Sequence, residues 1–177
     1  IKKYNPNWSY YPELSNFALR NKSFLKWRYL QHPQFKYNIF SVGSDNRPAI
    51  CIYRIEKLQG KVQGKIARIV DFFFPKNKSG YKDAFFLMQN ILSYLNLKNC
   101  ILVDFYSNSK KYSKLFNSFS KKKNKNEKIF ISKFSPIKKE NYDLNIYYKL
   151  DPKLRFKIKD LYISKSDIDG DGPVRLN

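Results

Sequence analysis

Two aspartates stand on strands whose packing has no use for an acid. Asp71 follows Ala67-Arg68-Ile69-Val70 and precedes three phenylalanines, and Asp104 follows Ile101-Leu102-Val103 and precedes Phe105 and Tyr106. An acid in apolar surroundings is a candidate general base, because burial favours its neutral form and readies it to take a proton. The competing role for Asp71 is structural: a carboxylate paired with Arg68 or a lysine. Asp104 can instead hold a hydroxyl or an amine of a substrate. Tyr106 is a candidate proton donor, its alternative being a packed ring with the hydroxyl at the surface. His32, the one histidine, closes a helical run before Pro33 and can serve as an acid–base group or as a helix cap.

The last eleven residues form a second constellation. Asp167-Ile168-Asp169-Gly170-Asp171-Gly172-Pro173-Val174-Arg175-Leu176-Asn177 alternates acids with glycines and finishes on Arg-x-Asn. A hydrophobic core needs none of these residues, so a polar ligand or a solvated tail is the choice. Asp169, Asp171, Arg175 and Asn177 are the candidate ligand-binding residues, the acids for amino or hydroxyl groups and the arginine for phosphate. The spacing also matches the first half of a calcium-binding EF-hand loop. That loop requires a Glu at its twelfth position and a helix on each side, whereas Leu161 to Lys165 alternates like a strand. No metal site is expected.

The chain has 177 residues, 18% of them aromatic, with only 6 glycines. That is one ordinary domain, residues 1–177, with enough apolar material for a core. The chain begins at Ile1 and its single methionine is Met88, so it is expected to be the C-terminal part of a longer protein. The net charge of +21 comes from 28 lysines against 7 arginines. Specific nucleic-acid readers rely on arginine for bidentate contacts, so no specific nucleic-acid partner is expected. Attraction to an anionic ligand or membrane surface fits the charge better. No apolar run reaches membrane-spanning length. Cys51 and Cys100 lack metal or redox spacing and read as buried, reduced thiols, which indicates a cytoplasmic protein.

The elements that must position these residues alternate in type. Tyr11 to Arg20 reads as a short helix, and Ser23 as the cap of a helix from Phe24 to about Gln31. Tyr37 to Val42, Ala49 to Glu56 and Lys65 to Phe74 read as an antiparallel meander, with Cys51, Tyr53 and Ile55 on one face. Ala84, Met88, Ile91, Leu92 and Leu95 then recur at helical spacing within a helix from Gly80 to Leu97. Cys100 to Tyr106 is a buried strand, and Tyr112, Leu115, Phe116 and Phe119 mark another helix. Strand-like runs follow at Ile129–Phe134, Asn145–Leu150 and Leu161–Lys165. The fold class is α/β (α+β): a mixed, mainly antiparallel sheet flanked by helices.

This order resembles the acyltransferase fold called GNAT, for Gcn5-related N-acetyltransferases. Four segments carry the resemblance to bacterial GNAT-like and FemAB-like proteins of surface-polysaccharide gene clusters. Phe24-Leu25-Lys26-Trp27-Arg28-Tyr29-Leu30-Gln31-His32-Pro33 resembles their F-x-x-W-R-Y-x-x-H-P segment. Ala67-Arg68-Ile69-Val70-Asp71-Phe72 resembles an ARIVDF strand, Asp104-Phe105-Tyr106 a DFY strand end, and the acidic tail a DGDxDRPN close.

The resemblance implies an acyl donor, acetyl-CoA or another acyl-CoA, and as acceptor a nucleotide-linked or lipid-linked amino sugar. It implies that two neighbouring parallel strands splay apart to admit the pantetheine arm, and that the helix after the first of them receives the pyrophosphate at its N-terminus. Lys76, Lys78, Ser79 and Gly80 then become the coenzyme-binding candidates, although only one glycine of the family's Gly-x-Gly loop is present in Pro75-Lys76-Asn77-Lys78-Ser79-Gly80. Trp27 and Arg28 suit a sugar ring and an anionic substituent. Acyl transfer needs a neutral amine, a held carbonyl and a proton for the departing thiolate, roles for which Asp71, Asp104, Tyr106 and His32 are the candidates. FemAB-like proteins contain two GNAT-like halves, so an N-terminal half is an expected partner. A cytoplasmic location, with attachment to the inner membrane surface as a variant, follows. The alternative is a catalytically inactive module of the same fold that binds a glycan precursor or a partner domain.

Overall fold

The computed structural model describes residues 4, 6–15, 19–57, 63–107, 109–120, 130–132, 162–164 and 167. Its centre is a five-stranded sheet in the order β1-β2-β3-β4-β5, with β1 Asn38–Val42, β2 Ala49–Lys57, β3 Lys65–Phe73, β4 Cys100–Phe105 and β5 Phe130–Ser132. The first three strands form the expected antiparallel meander, and β4 and β5 add in parallel. Helix α3, Lys78–Leu97, connects β3 to β4, and α4, Lys110–Ser120, connects β4 to β5. Parallel neighbours require such crossovers. The mixed sheet with flanking helices is the fold class expected from the sequence.

One face of the sheet is an apolar core. Ala84, Leu87, Met88, Ile91 and Leu95 of α3 are buried against it, as are Leu115 and Phe116 of α4. Phe72 and Phe105 meet Tyr112 and Phe116 of α4, and Phe85 of α3 stacks on Phe119 of α4 at 4.7 Å. Cys51 and Cys100 are buried here as thiols, and burial pushes both above the ordinary thiol range. That makes them poor nucleophiles, consistent with packing.

The opposite face is covered by the N-terminal segment. It holds α1, Pro12–Ser15, and α2, Lys22–Leu25, which continues as a π-helical turn over Lys26–Leu30. The first helix is shorter than the Tyr11–Arg20 expected: Leu19 and Arg20 are not helical. The second starts earlier than expected, because its cap is Asn21 rather than Ser23: the Asn21 side chain accepts from the Phe24 N–H at 2.9 Å. Both residue types cap well, and spacing alone does not choose between them. The same holds for α3, which begins at Lys78 instead of Gly80, with Asn77 accepting from the Gly80 N–H at 2.6 Å. Asn99, at φ 57°, turns the chain in the left-handed conformation just after α3.

The irregularity that matters most lies in β3. Ile52 faces Asp71 while Tyr53 faces Ile69, so Val70 is an extra residue, a β-bulge. Strict alternation would place Asp71 with Ala67 and Ile69 beneath α3. The bulge turns it to the other face, beside Arg68. Past this point β3 and β4 part: their register ends at Ile69 and Phe105, while β3 runs on with β2 to Phe73. Of the last expected strands, Asn145–Leu150 lies outside the described residues, and of Leu161–Lys165 the described part makes an antiparallel bridge from Ser164 to Ser107.

Candidate functional site

Asp71 sits at the centre of a buried polar network built from three distant parts of the chain. Arg20 Nε donates to its Oδ2 at 2.8 Å, and the Tyr29 hydroxyl donates to the same oxygen at 2.9 Å. Tyr162 reaches Oδ1 at 2.9 Å and Ser164 Oγ reaches it at 3.3 Å. Arg20 also donates through Nη2 to Asp167 at 2.5 Å, and Asp167 accepts from the Ser164 N–H at 3.0 Å. Tyr4 closes the outer side, donating to the Arg20 carbonyl at 2.6 Å. Arg20 and Asp71 are both 0% exposed.

The electrostatics follow from that burial. Desolvation opposes the charge on Arg20, yet Asp71 and Asp167 outweigh it and hold the guanidinium charged, above its ordinary range. Burial pushes the Asp167 carboxyl up, and Arg20 pulls it back. Tyr162 is driven well up by burial and then by Asp71, so it stays a neutral hydroxyl. The two carboxylates share a single forked cation, the geometry for which arginine is suited and lysine is not.

A second polar group lies on the same face. Arg54, Arg68 and Asp104 occupy one register row across β2, β3 and β4. Arg68 Nε lies 3.4 Å from Asp104 Oδ2, and Glu56 pairs with Arg54 and approaches Arg68 Nη1 at 3.8 Å. Arg54 lies over the Phe35 ring at 3.7 Å. Arg68, named from sequence as the structural partner of Asp71, therefore serves Asp104, and Arg20 takes its place at Asp71. The signal for Arg20 was weak: a strand carboxylate must find a cation, but nothing local says which of 35 it will be.

The structure distributes the other candidates as follows. Tyr106 is half-buried directly after β4. His32 Nδ1 accepts the backbone N–H groups of Gln34 and Phe35 at 3.2 and 3.1 Å, and its ring stacks on Phe35, so this nitrogen caps the turn after α2. Trp27 is 67% exposed, and Arg28 lies over the Tyr29 ring. Lys76, Lys78 and Ser79 are exposed around the N-terminus of α3, beside the end of β3. Asp169, Asp171, Arg175 and Asn177 lie outside the described residues. Asp167, the first acid of that tail, faces inward onto Arg20 rather than toward a ligand. Arg20, Tyr29, Tyr162 and Ser164 were not foreseen as members of any site.

Gly80 has a packing reason to be glycine. A Cβ there would lie 2.4 Å from the Pro75 carbonyl oxygen and 2.8 Å from the Pro75 Cβ. Gly80→Ala is expected to cost about 1–3 kcal/mol of stability through this overlap. Chemical denaturation without any ligand is the check, and an unchanged midpoint would return the glycine to ligand binding alone.

The fit of an acyl-coenzyme to the parted strands is mixed. The end of β3 and the start of α3 stand together, and Lys111 of α4 donates to the Phe74 carbonyl at 2.9 Å nearby. Phe72, however, gives its N–H to the Tyr162 hydroxyl at 3.1 Å, and its carbonyl accepts from that hydroxyl at 2.7 Å. The Phe72 backbone groups at the parting are thus already bonded. Among the described residues no cluster of His, Cys, Asp or Glu is arranged to hold a metal, and no helix is long and apolar enough to cross a membrane.

Compared with protein-family models, with curated proteins and with solved structures, the chain matches none.

Proposed function

We propose that this chain is a GNAT-like N-acyltransferase domain, or the C-terminal half of a FemAB-like pair, transferring an acyl group from acyl-CoA to an amino sugar in surface-polysaccharide biosynthesis. The observation that carries the reading is the parallel pair β3–β4, which parts after Ile69 and Phe105 beside the N-terminus of α3. An extended donor arm needs unpaired strand backbone, and a pyrophosphate needs helix N–H groups and cations, here with Lys76, Lys78 and Ser79 around them. Tyr106, at the end of β4, is the proton donor in this reading, and Asp104 orients the acceptor. Exposed Trp27 and half-buried Arg28 offer a platform for the sugar. The lysine-rich surface suits a cytoplasmic protein working close to an anionic membrane.

A second reading is a catalytically inactive module of this fold that binds a glycan precursor or a partner domain. Two observations favour it. The Tyr162 hydroxyl occupies the Phe72 backbone, and Asp71 and Asp104 are ion-paired and fully buried. In this reading Asp71 locks the fold and takes no proton from a substrate.

The test is thermal stability and acyl transfer with acetyl-CoA, desulfo-coenzyme A and a panel of nucleotide-linked amino sugars, at low and moderate salt. A shift with either coenzyme that survives salt, together with acetylated sugar, is the expected result. A shift with sugar alone transfers the conclusion to the binding module. No shift and no transfer with any of these ligands removes the acyltransferase reading and the glycan-binding form of the second, and leaves the partner-domain form.

A further inference from the structure

The helix that runs from α2 into the π-helical turn is sorted into rows. Leu25 and Tyr29 are buried, and Phe24 and Arg28 are half-buried. The remaining rows face solvent, with Lys22, Lys26 and Leu30 in one and Ser23 and Trp27 in the next. Trp27 is 67% exposed and Leu30 54%. Neither contributes to the core, which Leu25 and Tyr29 reach from the inner side. Exposed apolar residues scattered singly need no explanation, but a Trp and a Leu on adjoining rows form a patch.

The indole is supported from below. Phe24 meets it edge-on at 6.0 Å, packs on the core and on Tyr29, and the Tyr29 hydroxyl is tied to Asp71. The ring stands on a packed base, so contact with a partner costs little further ordering.

Charge selects the partner. From Leu14 to Ser44 the chain holds no Asp or Glu, while Lys22, Lys26 and Lys36 are exposed and Arg28 is half-buried. The whole chain carries +21. An indole and a leucine beside lysines match the boundary between headgroups and acyl chains of an anionic bilayer. Tryptophan favours that depth, and lysines reach the lipid phosphates on their long stems. A stable protein interface takes a wider patch, on the order of 20 residues a side.

We propose that this helix face seats the protein on an anionic lipid surface, with Trp27 and Leu30 inserting and Lys22 and Lys26 contacting phosphates. The net charge draws the chain to the surface, and the apolar pair fixes which face comes to rest against it. The contact does not rest on the acyltransferase reading. Within that reading it selects the acceptor: a ring held at headgroup depth meets the sugar of a lipid-linked acceptor and not a nucleotide-linked one in solution.

Cosedimentation with vesicles of phosphatidylcholine containing about one-third phosphatidylglycerol, with tryptophan fluorescence on the full chain, tests it. Trp8→Phe leaves Trp27 as the one tryptophan. Its emission is expected to shift to the blue on vesicle binding and to be quenched by brominated acyl chains. Trp27→Ala and the pair Lys22→Gln/Lys26→Gln are each expected to weaken binding about ten-fold. The pair Lys82→Gln/Lys98→Gln removes the same charge from exposed positions on α3 and just after it, on the other side of the sheet. It is expected to weaken binding no more than about three-fold. Unshifted Trp27 emission in the vesicle-bound protein, equal losses for the two lysine pairs, or no binding to these vesicles overturns the proposal. If Trp8→Phe does not fold, cosedimentation of Trp27→Ala decides, and an affinity equal to that of the unmodified protein overturns it. A blue shift produced by a nucleotide-linked amino sugar without vesicles overturns the choice of a lipid-linked acceptor. Vesicle binding as expected, with no acyl transfer to any acceptor, leaves the membrane contact standing and removes the acyltransferase reading.

Discussion

Arg20→Ala is expected to lower the unfolding free energy by about 3–5 kcal/mol, the cost of stranding buried charge. The guanidinium is the cation shared by Asp71 and Asp167, and its side chain and that of Asp71 are wholly buried. Its removal leaves two carboxylates in a desolvated site without the cation they share. The effect reaches beyond one contact, because Arg20 joins residues 51 and 147 positions away. Arg20→Lys is expected to recover only part of the loss, since an ammonium cannot address both acids with a planar fork. Adding Asp71→Asn and Asp167→Asn to Arg20→Ala is expected to restore stability in part, because the penalty comes from uncompensated charge. Urea denaturation of the series measures this. A loss below about 1 kcal/mol for Arg20→Ala would mean that the network does not hold these segments together.

Phe72→Ala is the second large effect, about 3–5 kcal/mol for a buried phenylalanine. Its ring makes edge-to-face contacts with Phe74, Phe105, Tyr112 and Phe116 at centroid distances of 5.5–6.2 Å. These rings join the end of β3 to the end of β4 and to α4, where the two strands no longer hydrogen-bond. Packing thus replaces the missing ladder on one face, as Tyr162 does at the backbone. The cavity left by alanine is expected to loosen α4 against the sheet, with loss of near-ultraviolet circular dichroism beside the lowered denaturation midpoint. Trp27→Ala is the control: its ring is exposed, so stability should change by no more than about 0.5 kcal/mol. If Trp27 is the sugar platform, the same variant loses acceptor binding while remaining folded. An effect of Phe72→Ala as small as that of Trp27→Ala would refute the packing account.

Much of the scaffold was legible because it is written in local periods. Cys51, Tyr53 and Ile55 alternate along β2, and Ala84, Met88, Ile91 and Leu95 repeat along α3; both patterns depend only on near neighbours in sequence. The nearly continuous apolar run of β4 was equally plain, and all of it but the exposed Ile101 is buried, as suits a parallel strand covered on its faces. Boundaries moved by about two residues where two good caps competed, as at Asn21 against Ser23.

The candidate site was legible only in part. Asp71 and Asp104 were conspicuous because acids are rare on such strands, and both are indeed buried in polar clusters. Their partners were not. The bulge at Val70 breaks the two-residue period that would have predicted the face of Asp71, and it carries no signature residue such as glycine. Tyr162 looked like one more strand aromatic, and Asp167 like the first acid of a ligand-binding tail.

By itself, then, the sequence determined the elements, their order and the acids that had to be accommodated, because hydrophobic period and charge burial act through near neighbours and residue type. Tertiary structure alone decided that Arg20, Asp71, Tyr162 and Asp167 meet, and that Tyr162 bonds the Phe72 backbone beyond the β3–β4 pairing. A buried charge demands a partner but does not specify its position in the chain, and only folding brings such distant residues within hydrogen-bonding reach.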